Sequence, residues 1–203
     1  ELLQFTTEDS KKTLKDMLSY AKKAEELDSK NPIAAYGIAR HYFFSGKFEQ
    51  AKFYSERAIQ LNPSSPDAQN ILGQSLVHSG KFAESEKHFL KAIELNPLDP
   101  NAILYKDGLF FAQMGLGNYE IAYSLIEECI SQFSKAGFYK GFRAAVLGYL
   151  DEKSEAKNAL DLYLSLRPNL KTKDDYKKIF VPNSSLADIL IEGLCLAGWE
   201  PED

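Results

Sequence analysis

A small set of residues recurs along this 203-residue chain at a fixed distance of 34 positions. The recurring elements are a proline, a Gly-Lys-Phe triplet, an Ala-Ile pair and a Leu-Asn-Pro triplet, at Pro32/Pro66/Pro100, 46–48 and 80–82, 58–59 and 92–93, and 61–63 and 95–97. A period of about 20 to 50 residues is typical of folds that stack one supersecondary unit against copies of itself. The repeat therefore restricts the fold more than any other feature of the sequence.

The second copy, residues 65–98, indicates a pair of antiparallel helices. Gly73 would lie in the middle of the first helix, where a residue without a side chain lets the paired helix approach closely. Gly80 is suited to a helix end with positive φ, and Pro97 prevents further helical extension. The inner face of the second helix would then carry two large side chains and one small one: Phe82, Phe89 and Ala92.

This pattern resembles the tetratricopeptide repeat (TPR) family. The resemblance implies an all-α fold, a TPR-type α-solenoid of antiparallel helix pairs with C-terminal capping helices and about eleven helices in all. It divides the chain into an N-terminal half repeat, two regular repeats, a third repeat with an enlarged turn, a degenerate fourth repeat and a C-terminal cap: residues 1–30, 31–64, 65–98, 99–134, 135–168 and 169–203.

The third and fourth repeats depart from the pattern at their turns. The third fits only if two extra residues are placed in Gly115-Leu116-Gly117-Asn118, which predicts an enlarged turn between its helices. The alternative, a phosphate-binding glycine loop, would need a preceding strand, and the sequence predicts none. In the fourth repeat Asp151-Glu152-Lys153 replaces the glycine turn.

Both ends of the chain carry helix signals outside the repeats. Thr7 is the predicted N-cap of the first helix, and residues 174–180 predict a short helix near the C-terminus. Ser184 or Ser185 is the predicted N-cap of the last helix. We expect the apolar face of that last helix to be buried against the fourth repeat and to cap the array: Leu186, Ile189, Leu190 and Leu194.

The C-terminal part carries a more specific resemblance. Residues 164–168 and 192–201 are similar to the end of bacterial signalling proteins in which a TPR array follows a class III nucleotide cyclase domain or a winged-helix transcriptional activator domain. These 203 residues contain neither of those domains. Because the chain begins at Glu1 rather than methionine, we expect it to be a piece of a longer signalling or regulatory protein.

The net charge and the lack of a long apolar run disfavour two classes of partner, nucleic acids and membranes. A net charge of −5 disfavours direct binding of nucleic acid, which needs a concentrated basic face. No apolar run approaches the roughly 18 residues of a membrane span, so we expect no membrane insertion. No secretory signal is present in these residues. The expected compartment is the cytoplasm, or the periplasm if the chain belongs to a membrane-bound activator.

The sequence offers no arrangement that suggests catalysis or metal binding. His41, His78 and His88 lack the spacing of metal ligands, and no nucleophile turn is present. Cys129 and Cys195 favour buried free thiols over a disulfide, since bridges are rare outside oxidising compartments. We therefore expect no enzyme, no cofactor and no catalytic or metal-binding residues.

The TPR resemblance also implies where a partner would bind. In TPR arrays the first helix of each repeat lines the concave surface, which here gives Tyr36, Arg40, Phe44, Asn70, Gln74, His78, Tyr105, Lys106 and Gln113. The implied function is non-catalytic binding of a protein or peptide segment in this groove. Two cations, Arg40 and Lys106, flanked by amides predict a segment with acidic or amide-rich character.

Other partners stay open. Chaperone-binding members of the family hold a C-terminal carboxylate in a clamp of lysine, asparagine and arginine, but Tyr36, Ile71 and Ala102 occupy those positions here. That ligand is therefore not expected. The alternative function is self-association into a homo-oligomer, or a regulatory arm that docks on the cyclase or DNA-binding domain of its own chain.

Overall fold

The protein is helical throughout the parts of the chain that the structure, a computed structural model, describes: residues 8–97, 102–179 and 184–202, with side chains from residue 12 onward. These ranges contain eleven helices and no strand: α1 (Glu8–Leu27), α2 (Pro32–Phe44), α3 (Phe48–Leu61), α4 (Pro66–His78), α5 (Phe82–Leu95), α6 (Ala102–Leu116), α7 (Tyr119–Gln132), α8 (Gly137–Tyr149), α9 (Lys153–Ser165), α10 (Lys173–Lys177) and α11 (Leu186–Leu196). From α1 to α9 each helix packs against the next. The predicted all-α solenoid of repeated helix pairs is confirmed.

Two of the three recurring prolines, Pro32 and Pro66, are the first residues of first helices, and Pro100 lies outside the described residues. Pro32 begins α2 behind Asn31, whose side-chain oxygen accepts hydrogen bonds from the backbone amides of Ile33 and Ala34 at 2.9 and 3.1 Å. Pro66 begins α4 in the same way behind Ser65. Proline suits this position because its missing N–H would have no partner in the helix, and its fixed φ is already helical.

The turns between paired helices need a left-handed residue, which explains the recurring glycines. Gly46, Gly80 and Gly117 take φ values of 68°, 75° and 76°. In the fourth repeat the same place is taken by Asp151, with φ 56°. Aspartate is among the few residues with a Cβ that tolerate this region, so the turn keeps its geometry without a glycine.

Replacing Asp151 by glycine should therefore stabilise the fold. Asp151 is exposed, and its salt bridge to the adjacent Lys153 lies on the surface, so little is lost with the side chain. Relief of the left-handed strain should raise the free energy of unfolding by about 0.5–1 kcal/mol. Urea unfolding of D151G and of D151A would check this, since D151A keeps the Cβ and should be the less stable of the two.

The expected enlarged turn of the third repeat is wrong. The helix α6 has 15 residues where α2 and α4 have 13, and only Gly117 and Asn118 separate it from α7. The extra residues continue the helix instead of widening the turn. Gly115 makes this feasible, because the Phe82 ring lies against its Cα and leaves no room for a Cβ.

This longer helix changes the register of the third repeat. The glycine turns are at Gly80 and Gly117, which are 37 residues apart rather than 34. Packing shows the same offset: the Phe48 ring stacks on His78, and the corresponding Phe82 packs on Gly115. Residues of α6 therefore match those of α4 at a distance of 37 positions.

The C-terminal segment begins with a short capped helix. The helix α10 spans Lys173–Lys177, so it is shorter than the predicted 174–180, and the last predicted residue lies outside the described ranges. The Thr172 hydroxyl accepts a hydrogen bond from the Asp175 amide, and the Asp175 carboxylate accepts one from the Thr172 amide. The hydrogen bond from the Lys178 ammonium is the main cause that lowers the pKa of Asp175 to about 2, and the bonds to Thr172 lower it further. The predicted N-cap Thr7 also lies outside the described residues.

The last helix, α11, packs on α8 and reaches α6. Its residues Leu186, Leu190 and Leu194 are fully buried, and Ile189 is partly buried. Burial against the fourth repeat is thus seen, but the helix lies mainly on α8, the first helix of the last pair. No disulfide joins Cys129, which is buried, to Cys195, which is partly buried.

Candidate functional site

The first helices α2, α4, α6 and α8 together line one cleft. It encloses about 360 Å³ and is lined by fifteen residues: Tyr36, Arg40, Phe43, Phe44, Asp67, Asn70, Ile71, Gln74, His78, Leu104, Asp107, Phe111, Phe138, Tyr139 and Phe142. Seven of the fifteen are aromatic, so the walls are mostly apolar and the polar groups stand singly among them. A concave apolar site with a few placed polar groups is the usual form of a binding site. We call it the groove cleft.

Six of the nine residues predicted from the sequence lie together in the groove cleft: Tyr36, Arg40, Phe44, Asn70, Gln74 and His78. The other three, all from the third repeat, lie elsewhere. Tyr105 is buried and its hydroxyl donates to the Asp67 carboxylate at 3.3 Å. Lys106 forms an ion pair with Glu128 of α7. Gln113 is buried, and its amide donates to Glu86.

The change of register in α6 explains why these three residues lie elsewhere. Counting 37 residues from Asn70 and Gln74 gives Asp107 and Phe111, and both line the groove cleft. The predicted Tyr105 and Gln113 lie only 35 residues after Asn70 and His78, which puts them on another face of the helix because two residues turn a helix by about 200°. Asp107 and Leu104 were missed for this reason. The signal that could have found them is the left-handed glycine at 117, had it been aligned with Gly80.

An arginine stands over two aromatic rings at the α2 side of the cleft. The Arg40 guanidinium carbon lies 5.7 Å from the ring centre of Tyr36 and 5.8 Å from that of Phe44. Within the described ranges Arg40 forms no ion pair with a carboxylate. Stacking keeps its charge next to the apolar wall, where a ligand group can still reach the guanidinium edge.

His78, at the end of α4, is built into the wall rather than offered to a ligand. Its ring stacks on Phe48 with ring centres 5.1 Å apart, and its Nδ1 lies 2.6 Å from the Ser184 hydroxyl. Burial lowers the pKa of His78 to about 4, so the ring is neutral near neutral pH. Its role here is to join α4 to the C-terminal segment.

The C-terminal segment is hydrogen-bonded to the end of α4, where His78 lines the groove cleft. The Ser185 amide donates to the His78 carbonyl at 3.1 Å, and its hydroxyl reaches the carbonyls of Val77 and His78 at 3.3 and 3.2 Å. Ser185 precedes α11 but does not cap it with its side chain. Further along, the Tyr149 hydroxyl donates to the Ile189 carbonyl at 2.9 Å. The helix α11 is thereby fixed across the ends of the first helices.

Two acceptor atoms in the groove cleft have no partner. The Oδ1 atoms of Asn70 and Asp107 are buried, and neither accepts a hydrogen bond from any described residue. Burial raises the pKa of Asp107 to about 7. Buried polar atoms are nearly always hydrogen-bonded in folded proteins, so two orphans in one cleft mark it as a site for a donor from outside the chain.

Neither a metal site nor a membrane span is seen in the described part of the chain. Its His, Cys, Asp and Glu side chains nowhere come together in groups of three that could hold a metal ion. No helix within residues 8–97, 102–179 and 184–202 combines the length and low polarity needed to cross a bilayer.

Comparison with known proteins agrees with this fold. Residues 36–100 match the model of the tetratricopeptide repeat family. A search of curated protein sequences finds no significant match. The matched residues cover the regular repeats, and the described helices on both sides of them pack in the same consecutive arrangement.

Solved structures extend the likeness over most of the chain. YrrB, described as a TPR protein with an unusual peptide-binding site, is 22% identical with a TM-score of 0.62, over 79% of this chain and 81% of that one. PilW, a type IV pilus biogenesis factor, is 20% identical with a TM-score of 0.67, over 88% and 79%. PilF of Pseudomonas aeruginosa is 15% identical with a TM-score of 0.67, over 93% and 82%. At these identities the likeness shows a shared fold.

Proposed function

We propose that this chain is a non-catalytic protein-interaction module that binds a segment of a partner protein in the groove cleft. The observation that carries this proposal is the cleft itself: four successive first helices surround a concave space, with aromatic side chains from α2, α6 and α8 and polar atoms in the walls that have no partner among the described residues. Aromatic-lined pockets of this kind hold the anchor residues that supply most of the energy in protein interfaces.

The described peptide-binding site of YrrB supports the same class of function for this fold. In the described contacts, however, Lys106 is paired with Glu128 and lies outside the cleft, which leaves Arg40 as the cation on the cleft wall. An acidic segment held between Arg40 and Lys106 therefore has little support. An apolar anchor side chain with hydrogen-bond donors beside it suits the walls better.

A selection from a random dodecapeptide display library on the immobilised protein would test the proposal. Enriched peptides would be synthesised and titrated against the parent and against the double variant N70A/Q74A, which removes two polar groups from the cleft wall. We expect at least a tenfold loss of affinity, because hydrogen bonds to the ligand are lost while the aromatic walls remain.

The matched control is K91A/E94A, which removes an exposed salt bridge on α5 that lies away from the cleft. It should bind each peptide as the parent does. If N70A/Q74A and K91A/E94A bind equally well, the peptides do not use the groove cleft and the proposal is wrong.

The larger context is also a proposal. The module would belong to a bacterial signalling or regulatory protein in the cytoplasm.

A second candidate function, self-association or docking on a neighbouring domain, is favoured by large apolar side chains exposed on the second helices: Phe53, Leu90 and Ile121 at 60%, 50% and 53% exposure. Sedimentation velocity over a hundredfold range of concentration would test it, since a monomer throughout excludes self-association.

A further inference from the structure

The first helices α4 and α6 each place a side-chain oxygen acceptor in the groove cleft, at equivalent positions of their repeats. Asn70 of α4 and Asp107 of α6 are equivalent residues at the distance of 37 positions set by the glycine turns. In both, the side-chain Oδ1 is buried without a hydrogen-bond partner among the described residues. Neighbouring helix axes are about 8–10 Å apart, so one ligand group can lie between these two acceptors.

Packing explains why a side chain fits at residue 107 but not why it is charged. In the next repeat the equivalent residue is Gly141, and the Tyr163 ring fills the space beside it. The residue that corresponds to Tyr163 in the third repeat is the smaller Cys129, which leaves room for a larger residue at 107. An apolar residue would fill that room without the penalty of desolvating a carboxylate.

Among the described residues, no cation compensates Asp107. The adjacent Lys106 pairs with Glu128, and Arg40 is stacked on aromatic rings of α2. Asp107 forms no ion pair with any residue of the described ranges. A carboxylate that is partly buried, unpaired and directed into an aromatic cleft has the electrostatic character of a site for a cation.

We propose that the groove cleft is a socket for one cationic side chain, lysine or arginine, of the partner segment, with Asp107 as its counter-ion and the Asn70 carbonyl as a second acceptor. This inference rests on the proposed function and specifies the anchor. The aliphatic part of such a side chain would lie against Phe111 and Phe142, whose ring faces also attract a cation.

The inference predicts pH dependence, because the pKa of Asp107, raised by burial to about 7, lies within an accessible range. Below that pH the carboxyl takes up a proton and the cation loses its counter-ion. The other charged or titratable groups that line the cleft or lie near Asp107 are Tyr36, Arg40, Asp67, His78, Lys106, Glu128, Cys129 and Tyr139. Burial lowers the pKa of His78 to about 4, raises that of Cys129 to about 12 and raises that of Tyr139, so these three stay neutral between pH 5.5 and about 8.

The test uses small probes and the full chain. Nα-acetyl-lysine methylamide, Nα-acetyl-arginine methylamide and the neutral Nα-acetyl-norleucine methylamide would be titrated into the ¹⁵N-labelled protein at about pH 8 and followed by amide shifts. We expect at least one cationic probe to bind roughly tenfold more tightly than the norleucine probe, with shifts centred on α4 and α6. The preference should fall as the pH is lowered to 5.5.

The decisive variant is Asp107→Asn, which keeps the shape and removes the charge. It should lose the preference for cations and its pH dependence, whereas Asp161→Asn, the same change at an exposed residue of α9, should behave as the parent. Equal binding of the cationic and neutral probes by the parent, or an unchanged cation preference in D107N, would overturn the inference.

The library peptides separate this failure from failure of the proposed function. Selected peptides that need Asn70 and Gln74 but lack lysine and arginine, and bind D107N as well as the parent, would overturn the cationic anchor alone. Selected peptides that ignore the groove variants altogether would overturn both. Peptides enriched in one basic residue, whose affinity falls in D107N, would support both.

Discussion

Replacing Leu190 by aspartate is expected to lower the free energy of unfolding by about 3–5 kcal/mol. Leu190 has no exposed surface, and it joins α11 to the apolar core shared with α8. An aspartate there would lose the buried leucine contacts and bring an unpaired carboxylate into an apolar environment. Protonation would relieve part of this penalty, so the loss of stability should be smaller at pH 4 than at pH 8.

The matched control lies on the same helix. Leu196 is 54% exposed, so L196D makes the same chemical change where water can still solvate the charge. Urea unfolding of the parent, L190D and L196D should give a large loss for the first variant and less than about 1 kcal/mol for the second. Equal stability of L190D and the parent would show that α11 is not part of the folded core.

The regular repeats could be predicted because every local signal agrees there. Asn31-Pro32 and Ser65-Pro66 begin helices, Gly46 and Gly80 take the left-handed turns, and the 34-residue offset relates both repeats. Each signal is set by short-range sterics and hydrogen bonding, so it can be read from a few residues. Six of the predicted groove residues come from these two repeats, and all six line the cleft.

The third repeat shows where this reasoning fails. Gly115-Leu116-Gly117 contains two glycines, and either could end the helix on local grounds. The helix continues through Gly115, where this residue makes a tertiary contact with Phe82. Phe82 belongs to the preceding repeat, so local sequence around Gly115 does not reveal the contact. Because the register of α6 depends on it, the choice between Lys106 and Asp107 as the groove residue could not be made from the sequence.

The sequence also could not predict which helix α11 packs against. Its apolar face predicted burial, but an apolar helix face does not specify which neighbour covers it. The structure places it on α8 because two helices can approach there without side chains: Gly148 lies against the carbonyl of Gly193, and Gly193 lies against Ala145. Ser185, just before α11, is in turn hydrogen-bonded to the His78 carbonyl at the end of α4.

Replacing Gly148 by alanine is therefore expected to lower the free energy of unfolding by about 3 kcal/mol, the second largest effect we predict. The added Cβ would collide with the Gly193 carbonyl and lie 2.9 Å from the Ala197 amide nitrogen, both backbone atoms that cannot rotate away. The two helices must separate, which weakens the Tyr149–Ile189 hydrogen bond and the burial of the α11 leucines.

The control for this change is Gly137→Ala at the start of the same helix. There an added Cβ meets only the Leu166 Cδ1 at 3.2 Å, the flexible end of a side chain, so alanine should be tolerated. Both variants share the loss of unfolded-state freedom that favours alanine, and their difference isolates the contact between α8 and α11. Urea unfolding should therefore rank G137A near the parent and G148A well below it. If G148A is as stable as G137A, α11 does not pack closely on α8.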